Sequence, residues 1–265
     1  MEWTKLTPGA LKAAASECGL AVLPLGSIEA HAGHLPLGND TFKAERTCLE
    51  AAEAEPAVVL PPLYYTDVAS MRPTIGAISV RLEVIIDLVL DICDEAARNG
   101  FRKILLVSGH GGNASWLAYL RRRLLDRPPA YLVYTYYIEL LGGEANRALM
   151  ETPFDGHGGE VETSIALHLF PQWVDLSGRI EATTPAESPD LAGAMTPFDW
   201  PIRWPKAISG NPFPATADKG KIFYESNLRQ LVACLRKVKE DTATPRFKDS
   251  FVRQIQEPCL HNSPS

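Results

Sequence analysis

Apolar runs of strand length alternate with segments of helical period through most of this chain, and that alternation restricts its fold more than any other feature. "GLAVLPL" (Gly19–Leu25) reads as a buried strand, "TFKAERTCLEAAEA" after Asp40 as a helix, and "AVVLPPL" as a short strand ended by its prolines. The segment Arg81–Gly100 has apolar residues at helical spacing and stops at a glycine, as a helix C-terminus should. Arg102–Ser108 is a fully apolar strand, the helical period returns from Asn113, "AYLVYTYY" is the next strand, and another helix is expected near Glu160. This rhythm implies right-handed crossovers and a mainly parallel sheet covered on both faces, so the fold class is α/β. From Asp175 to Lys219 the pattern dissolves into Pro, Gly, Ser and Thr. A stretch that long predicts an irregular functional excursion or an oligomer arm at 175–219. "KIFYESNLRQLVACLRKVKED" closes the chain as an amphipathic helix. With no repeats, residues 1–265 are expected to form a single domain.

Ligands of open parallel sheets bind beyond the carboxyl ends of the strands. "LPLGSIEAHAGHLPLGND" (Leu23–Asp40) and "SGHGGN" (Ser108–Asn113) both stand there, and "DGHGGEVETS" (Asp155–Ser164) leads into a later helix. Together they bring Glu29, His31, His34, Asp40, His110, His157, Glu160 and Glu162 toward one rim, including four of the six histidines. Mixed imidazole and carboxylate donors suit a borderline divalent ion such as zinc, manganese or iron. Two ions need a carboxylate able to bridge them, and such a pair lowers the pKa of a water and steadies an oxyanion. In extended backbone Glu29 and His31 project to the same side; in a loop they flank a shared bridge. Asp40 is expected at or near the N-cap of the following helix. Taken singly, the motifs have plainer readings: a solvated E-x-H loop, a glycine loop for phosphate, acidic residues at a helix start. Their joint occurrence at one rim favours the metal. His168 and His261 are read as structural.

Composition narrows the class further. A net charge of -6 argues against nucleic acid as a partner, and no apolar run is long enough to span a bilayer. The N-terminal residues lack the pattern of a signal peptide. Five scattered cysteines without a C-x-x-C pair suit buried thiols in a reducing cytoplasm. The expectation is a soluble cytoplasmic protein with a small-molecule substrate.

"PLGSIEAHAGHLPLGND", "SGHGGN" and "HGGEVETS", in that order, resemble the creatininase (creatinine amidohydrolase) family from about Leu23 to Leu169. The resemblance implies a three-layer α/β/α sandwich, two divalent metal ions per chain, hydrolysis of amide-like bonds, and a homo-oligomer, commonly a hexamer. Carried over by position, Glu29 and His110 bind one metal, His31 the other, and Asp40 bridges them. His157 falls where the family places a proton-transfer histidine.

Creatininase carries a metal-binding glutamate two residues after its "GH" histidine, where this chain has Gly112. Relatives with the "GHGGN" form include hydrolases of a formamidopyrimidine, of a mycofactocin precursor and of an oxidised inositol. Without a side chain at Gly112, the second metal holds only His31 and shared Asp40, fewer protein ligands than catalytic zinc sites use. Glu160 and Glu162 are the candidates, and residues two apart on a helix project about 200° from each other. Glu160, nearer the glycine turn and His157, is expected to be the ligand. Glu162 is expected to join His157 on the catalytic side, orienting a histidine or bracing the helix start. The predicted activity is hydrolysis of a small cyclic or formylated amide. The alternatives are opening of a non-amide cyclic carbonyl such as an oxidised inositol, and a nucleotide- or phosphate-binding module.

Overall fold

The computed structural model describes residues 1–139, 141–180 and 189–257. Helix α1 spans Pro8–Cys18, strand β1 Leu20–Leu25, helix α2 Asn39–Ala54 and strand β2 Val58–Val59. Helix α3 (Leu82–Arg98), strand β3 (Lys103–Ser108), helix α4 (Asn113–Asp126) and strand β4 (Leu132–Tyr137) follow. Helix α5 covers Glu160–Leu169, short α6 Asp199–Arg203, α7 Ala217–Glu240 and α8 Ala243–Gln256. The strands form one parallel sheet in the order β2-β1-β3-β4.

Alternation within each strand builds two cores. Ala21, Leu23 and Leu25 of β1 and Ile104 and Leu106 of β3 face the layer that contains α1, α3 and α4. Leu20, Val22, Leu105 and Val107 face the opposite layer, where Ala44 and Cys48 of α2 and Leu231 and Leu235 of α7 pack. Both sheet faces are therefore covered, which is why β1 and β3 read as unbroken apolar runs. Each fully buried leucine contributes about 1.5–3 kcal/mol relative to exposure. The result is the expected α/β/α sandwich.

Chain order creates a crevice. β1 connects through α2 to β2 on one side, and β2 returns through α3 across β1 to β3. The direction of winding reverses between β1 and β3, so the loops leaving their carboxyl ends diverge and open a binding site. Gly109 N donates to Leu25 O at 2.9 Å, which ties the two exits together. Gly26 is required there: a Cβ would stand 2.0 Å from Thr41 Oγ1 and 2.4 Å from Thr41 Cα. That close approach sets the N-terminus of α2 directly against the end of β1.

Several expectations are corrected. The strand in "AVVLPPL" shrinks to Val58–Val59, because the prolines after Leu60 cannot donate to a ladder. Asp40 lies near the N-cap as expected: Gly38 is the N-cap and Asp40 stands two residues on, in the first turn of α2. Two helices lie outside the elements read from the sequence. In α1, Thr7 caps Ala10 N, Pro8 opens the helix and Gly19 closes it at φ 62°; only Ala14, Ala15 and Cys18 are buried, so its apolar signal is weak. Helix α8 follows the helix expected to end the chain, and no residue of it is buried. The excursion expected at 175–219 is irregular in its described parts apart from a turn at Leu176–Gly178, α6, and its last three residues, which already belong to α7. Cys18, Cys48, Cys93 and Cys234 are free; Cys259 and His261 lie outside the described residues. Among the described residues, no helix is long and apolar enough to cross a membrane.

Candidate metal centre

The crevice between β1 and β3 collects the carboxylates of Glu29 and Glu162 and the imidazoles of His31 and His110 around Asp40. Three donor groups form among the described residues, Glu29–Asp40–His110, His31–Asp40–Glu162 and Glu29–His31–His157, each with ligand atoms within 4.8 Å of one another. Asp40 belongs to the first two, and its two oxygens divide between them. Oδ2 stands 3.0 Å from His110 Nδ1, and Oδ1 stands 3.2 Å from His31 Nε2. Glu29 Oε1 completes the first group 2.7 Å from His110 Nδ1. Glu162 Oε2 completes the second, 3.5 Å from His31 Nε2. Glu29 and His31 thus flank Asp40 from opposite sides, as the loop alternative has it.

Local sequence explains the positions. Asp40 rides the first turn of α2, whose amide dipoles favour a carboxylate. Ser27 Oγ donates to Asp40 Oδ2 at 2.9 Å and Asn39 Nδ2 to Oδ1 at 3.2 Å, so both oxygens are held in orientation. His110 follows the end of β3 through Gly109, where a Cβ would come within 2.6 Å of Asp40 O. Its Nε2 lies 3.3 Å from Asp67 O, so Nε2–H donates there and Nδ1 turns to the carboxylates.

The electrostatics suit a cation. Burial opposes charge on His31, but the Asp40 and Glu162 carboxylates outweigh it and push the imidazole up to about 9. At His110 burial is likewise outweighed, first by Glu29 and Asp40, and the ring is pushed up to about 10. Burial favours the acid form of Asp40, yet His31, Lys43 and the bond from His110 hold it well below the usual carboxylate range. Without a metal, protons and one lysine do the neutralising. The donor set fits divalent ions: anionic oxygens and imidazole nitrogens converge in a buried pocket and repel one another unless a cation lies among them.

Glu160 does not join this cluster. Its carboxylate accepts from Glu151 N, Thr152 N and Thr152 Oγ1, and Lys219 Nζ donates to it at 2.6 Å. Glu162 takes the position expected of Glu160. The two carboxylates do diverge around α5, but Glu162 and not Glu160 is on the face toward Asp40. α5 packs one side on α7, which delivers Lys219, and the other toward α2, which delivers Lys43. Gly158 N also donates to Glu162 Oε2 at 2.8 Å, fixing the carboxylate across the glycine turn. At Gly112, a Cβ would lie 2.4 Å from His110 Nε2, so the imidazole occupies the space beside that position.

His157 stacks on His31 with ring centroids 4.0 Å apart. Its Nε2 is 2.7 Å from Ala30 O and donates there, which leaves Nδ1 on the side of Glu29 Oε1, at 4.0 Å. Burial, then the neighbouring His31 charge, lowers its pKa. Ser209 clamps this residue from both sides of its backbone: Ser209 N donates to His157 O, and His157 N donates to Ser209 Oγ, each at 2.8 Å. Trp200 of the excursion meets the His157 ring edge-on at 5.6 Å. His34 lies apart from these donor groups, with Nε2 2.8 Å from Thr163 Oγ1. Burial, then His31 and Arg179, lowers His34 to about 4, so it is a neutral brace between the loop and α5.

Lys43, Ser27, Asn39, Ser209 and Trp200 were not read from the sequence as site residues. Lys43 carries a detectable signal, since it is three residues beyond Asp40 on one helix face. Ser209 and Trp200 carry none, because an irregular segment delivers them.

The family model for creatinine amidohydrolase matches residues 4–235. The chain is 27% identical over 256 residues to the 3-dehydro-scyllo-inosose hydrolase of Thermotoga maritima, covering 91% of this chain and 79% of that one. It is 28% identical over 242 residues to the creatinine amidohydrolase of Pseudomonas putida, covering 85% and 91%. Among solved structures, a manganese form of creatininase matches with a TM-score of 0.78 at 24% identity, covering 91% of this chain and 99% of that one. A mutant creatininase described as of Zn-Zn type matches with a TM-score of 0.77 at 25% identity, covering 91% and 98%. Its match over nearly the whole length makes this chain a member of the creatininase (creatinine amidohydrolase) family and a hydrolase of that family.

Proposed function

We propose that this chain uses two divalent ions, of zinc, manganese or iron, to hydrolyse a carbon–nitrogen bond in a small cyclic or formylated amide-like substrate. The observation that carries the reading is the division of Asp40, one oxygen toward each of the two donor groups that share it. Glu29 and His110 would hold one ion, His31 and Glu162 the other, with Asp40 shared. Bound there, such a pair supplies Lewis-acid polarisation of a carbonyl and a water of lowered pKa.

The chain's own residues do the rest. Ser27 and Asn39 keep the Asp40 carboxylate aimed at both sides. His157 donates Nε2–H to Ala30 O, so Nδ1 is the atom that takes up a proton and passes it to the leaving nitrogen. The lowered pKa of His157 leaves that nitrogen free near neutral pH. Trp200, with Met71, Val68 and Ala207 beside it, gives an apolar wall that excludes water from one side.

Ring opening of a cyclic carbonyl compound is the second reading, favoured by the 27% identity to an inosose hydrolase. A phosphate-binding module fits poorly, because Glu29 and Asp40 crowd the "SGHGGN" loop at His110 and would repel an anion. Exposed Phe247, Phe251 and Ile255 on α8 support association into a homo-oligomer, expected as a hexamer in the cytoplasm. The test is turnover by metal-reconstituted protein on a panel of cyclic amides, formylated amines and oxidised inositols. Hydrolysis of the first two supports the reading; hydrolysis of the inositols alone transfers support to the second, and turnover undiminished after metal removal overturns both.

A further inference from the structure

His34 and Thr163 are joined across 129 positions of chain, His34 on the loop that carries Glu29 and His31, and Thr163 on α5. Both side chains are buried. Among the described residues His34 Nδ1 has no hydrogen-bond partner. A hydrogen on that atom would leave a buried N–H without an acceptor, an arrangement folded chains avoid. The hydrogen therefore sits on Nε2, which donates to Thr163 Oγ1 at 2.8 Å. The hydroxyl must then turn its own hydrogen to Gly158 O, 3.3 Å away. Gly158 N donates in its turn to Glu162 Oε2. A directed chain of donors thus ends on the residue that follows His157.

Gly158 has φ 66°, a left-handed conformation that glycine enters freely but does not prefer over its others. Bonds on both sides of the residue, rather than its own preference, hold it there. A Cβ at Gly158 would stand 3.6 Å from His31 Cβ, so the turn lies directly against the imidazole on which His157 stacks. Ser209 fixes His157 N and O, and Ala30 O takes Nε2–H. The backbone beyond the ring is fixed at Gly158. Resting on the reading of His157 as the proton carrier, we infer that His34 and Thr163 are positioning residues for the reaction, aiming His157 Nδ1 through the carbonyl of Gly158. Both are buried, so neither meets a substrate, and their effect runs through the backbone. Without the hydroxyl, Gly158 is free to leave its conformation and the His157 ring to slide on His31. Proton transfer then suffers, while the metal donors and the substrate wall stay in place.

The test uses the metal-reconstituted full chain on the panel amide that it hydrolyses, with elemental analysis of each variant. Thr163→Val, close in size but without the hydroxyl, should keep its ions and lower kcat about ten- to a hundredfold, with KM changed less than about threefold. Thr163→Ser should restore kcat to within about threefold of the wild type. His34→Leu should fall as Thr163→Val does, and His34→Gln, whose amide nitrogen can donate in place of Nε2, should recover most of the loss. That pair supplies the readout if the valine variant does not fold. In a His157→Ala background Thr163→Val should cost less than about twofold, because the ring it positions is gone. The full loss there is what a merely structural threonine gives, and it would overturn the inference. Imidazole nitrogen NMR of the chelated protein should show His34 as the Nε2–H tautomer; the Nδ1–H tautomer would break the chain of donors and overturn the inference without any measurement of activity. Turnover that falls in His157→Ala but not in Thr163→Val overturns the inference alone. A metal-loaded wild type without turnover on the panel overturns the reading of the site, and this inference with it.

Discussion

Glu160 and Glu162 stand two residues apart on α5, and their carboxylates reach different lysines on different helices. Glu160 meets Lys219 at 2.6 Å, and Glu162 meets Lys43 at 3.2 Å. The first pair pins the segment at Glu151–Thr152 to α5, and the second faces Asp40 and His31. Glu162→Gln should therefore remove one ion and most turnover, while Glu160→Gln should retain both ions. Glu160→Gln should instead cost roughly 1–3 kcal/mol in stability, because it leaves buried donors poorly matched. Elemental analysis beside thermal melting separates the two variants, and loss of an ion from Glu160→Gln would sink the assignment.

Asp40 is common to two of the donor groups, Glu29–Asp40–His110 and His31–Asp40–Glu162. Asp40→Ala should lose most of both ions, whereas Glu29→Ala should lose chiefly one. Atomic absorption on the purified variants measures this directly. A variant without Asp40 that still carries two ions would show that the groups do not share it.

In the proposed reading His157 moves a proton through Nδ1, and it also stands in a donor group with Glu29 and His31. His157→Ala should keep its metal content and lose about two to four orders of magnitude in kcat. Ser209→Ala, which removes the hydroxyl that accepts from His157 N, should lower kcat by less. An ion missing from His157→Ala would make this residue a ligand.

Metal loading should release protons. In the metal-free chain His31 and His110 are pushed up to about 9 and about 10, so at neutral pH an entering ion displaces a proton from each. Affinity should rise with pH until those values are passed, and calorimetry in buffers of different ionisation enthalpy should count about two protons per chain. The same raised values stabilise the metal-free fold below the ordinary histidine pKa near 6.5, and that stabilisation is lost as pH rises through about 9 to 10. Chelated protein should melt at falling temperature across that window. Metal-loaded protein should not.

Strand and helix order, the parallel sheet and the rim occupied by Glu29, His31, Asp40, His110 and His157 were all legible in the residues. Apolar β-branched runs of strand length demand burial on both faces, and glycine-rich polar loops at their carboxyl ends have one crevice to enter. Helices α1 and α8 were not legible, since α1 buries only alanines and a cysteine and α8 buries nothing. The choice between Glu160 and Glu162 also lay beyond local reasoning. Helical period states that the two carboxylates diverge, but which one meets Asp40 depends on the rotation of α5 about its axis. That rotation is set where α5 packs between α2 and α7, by contacts between residues more than a hundred positions apart such as Lys43 and Glu162. Periodicity along a chain carries no information about such a contact; only the packed helices decide it.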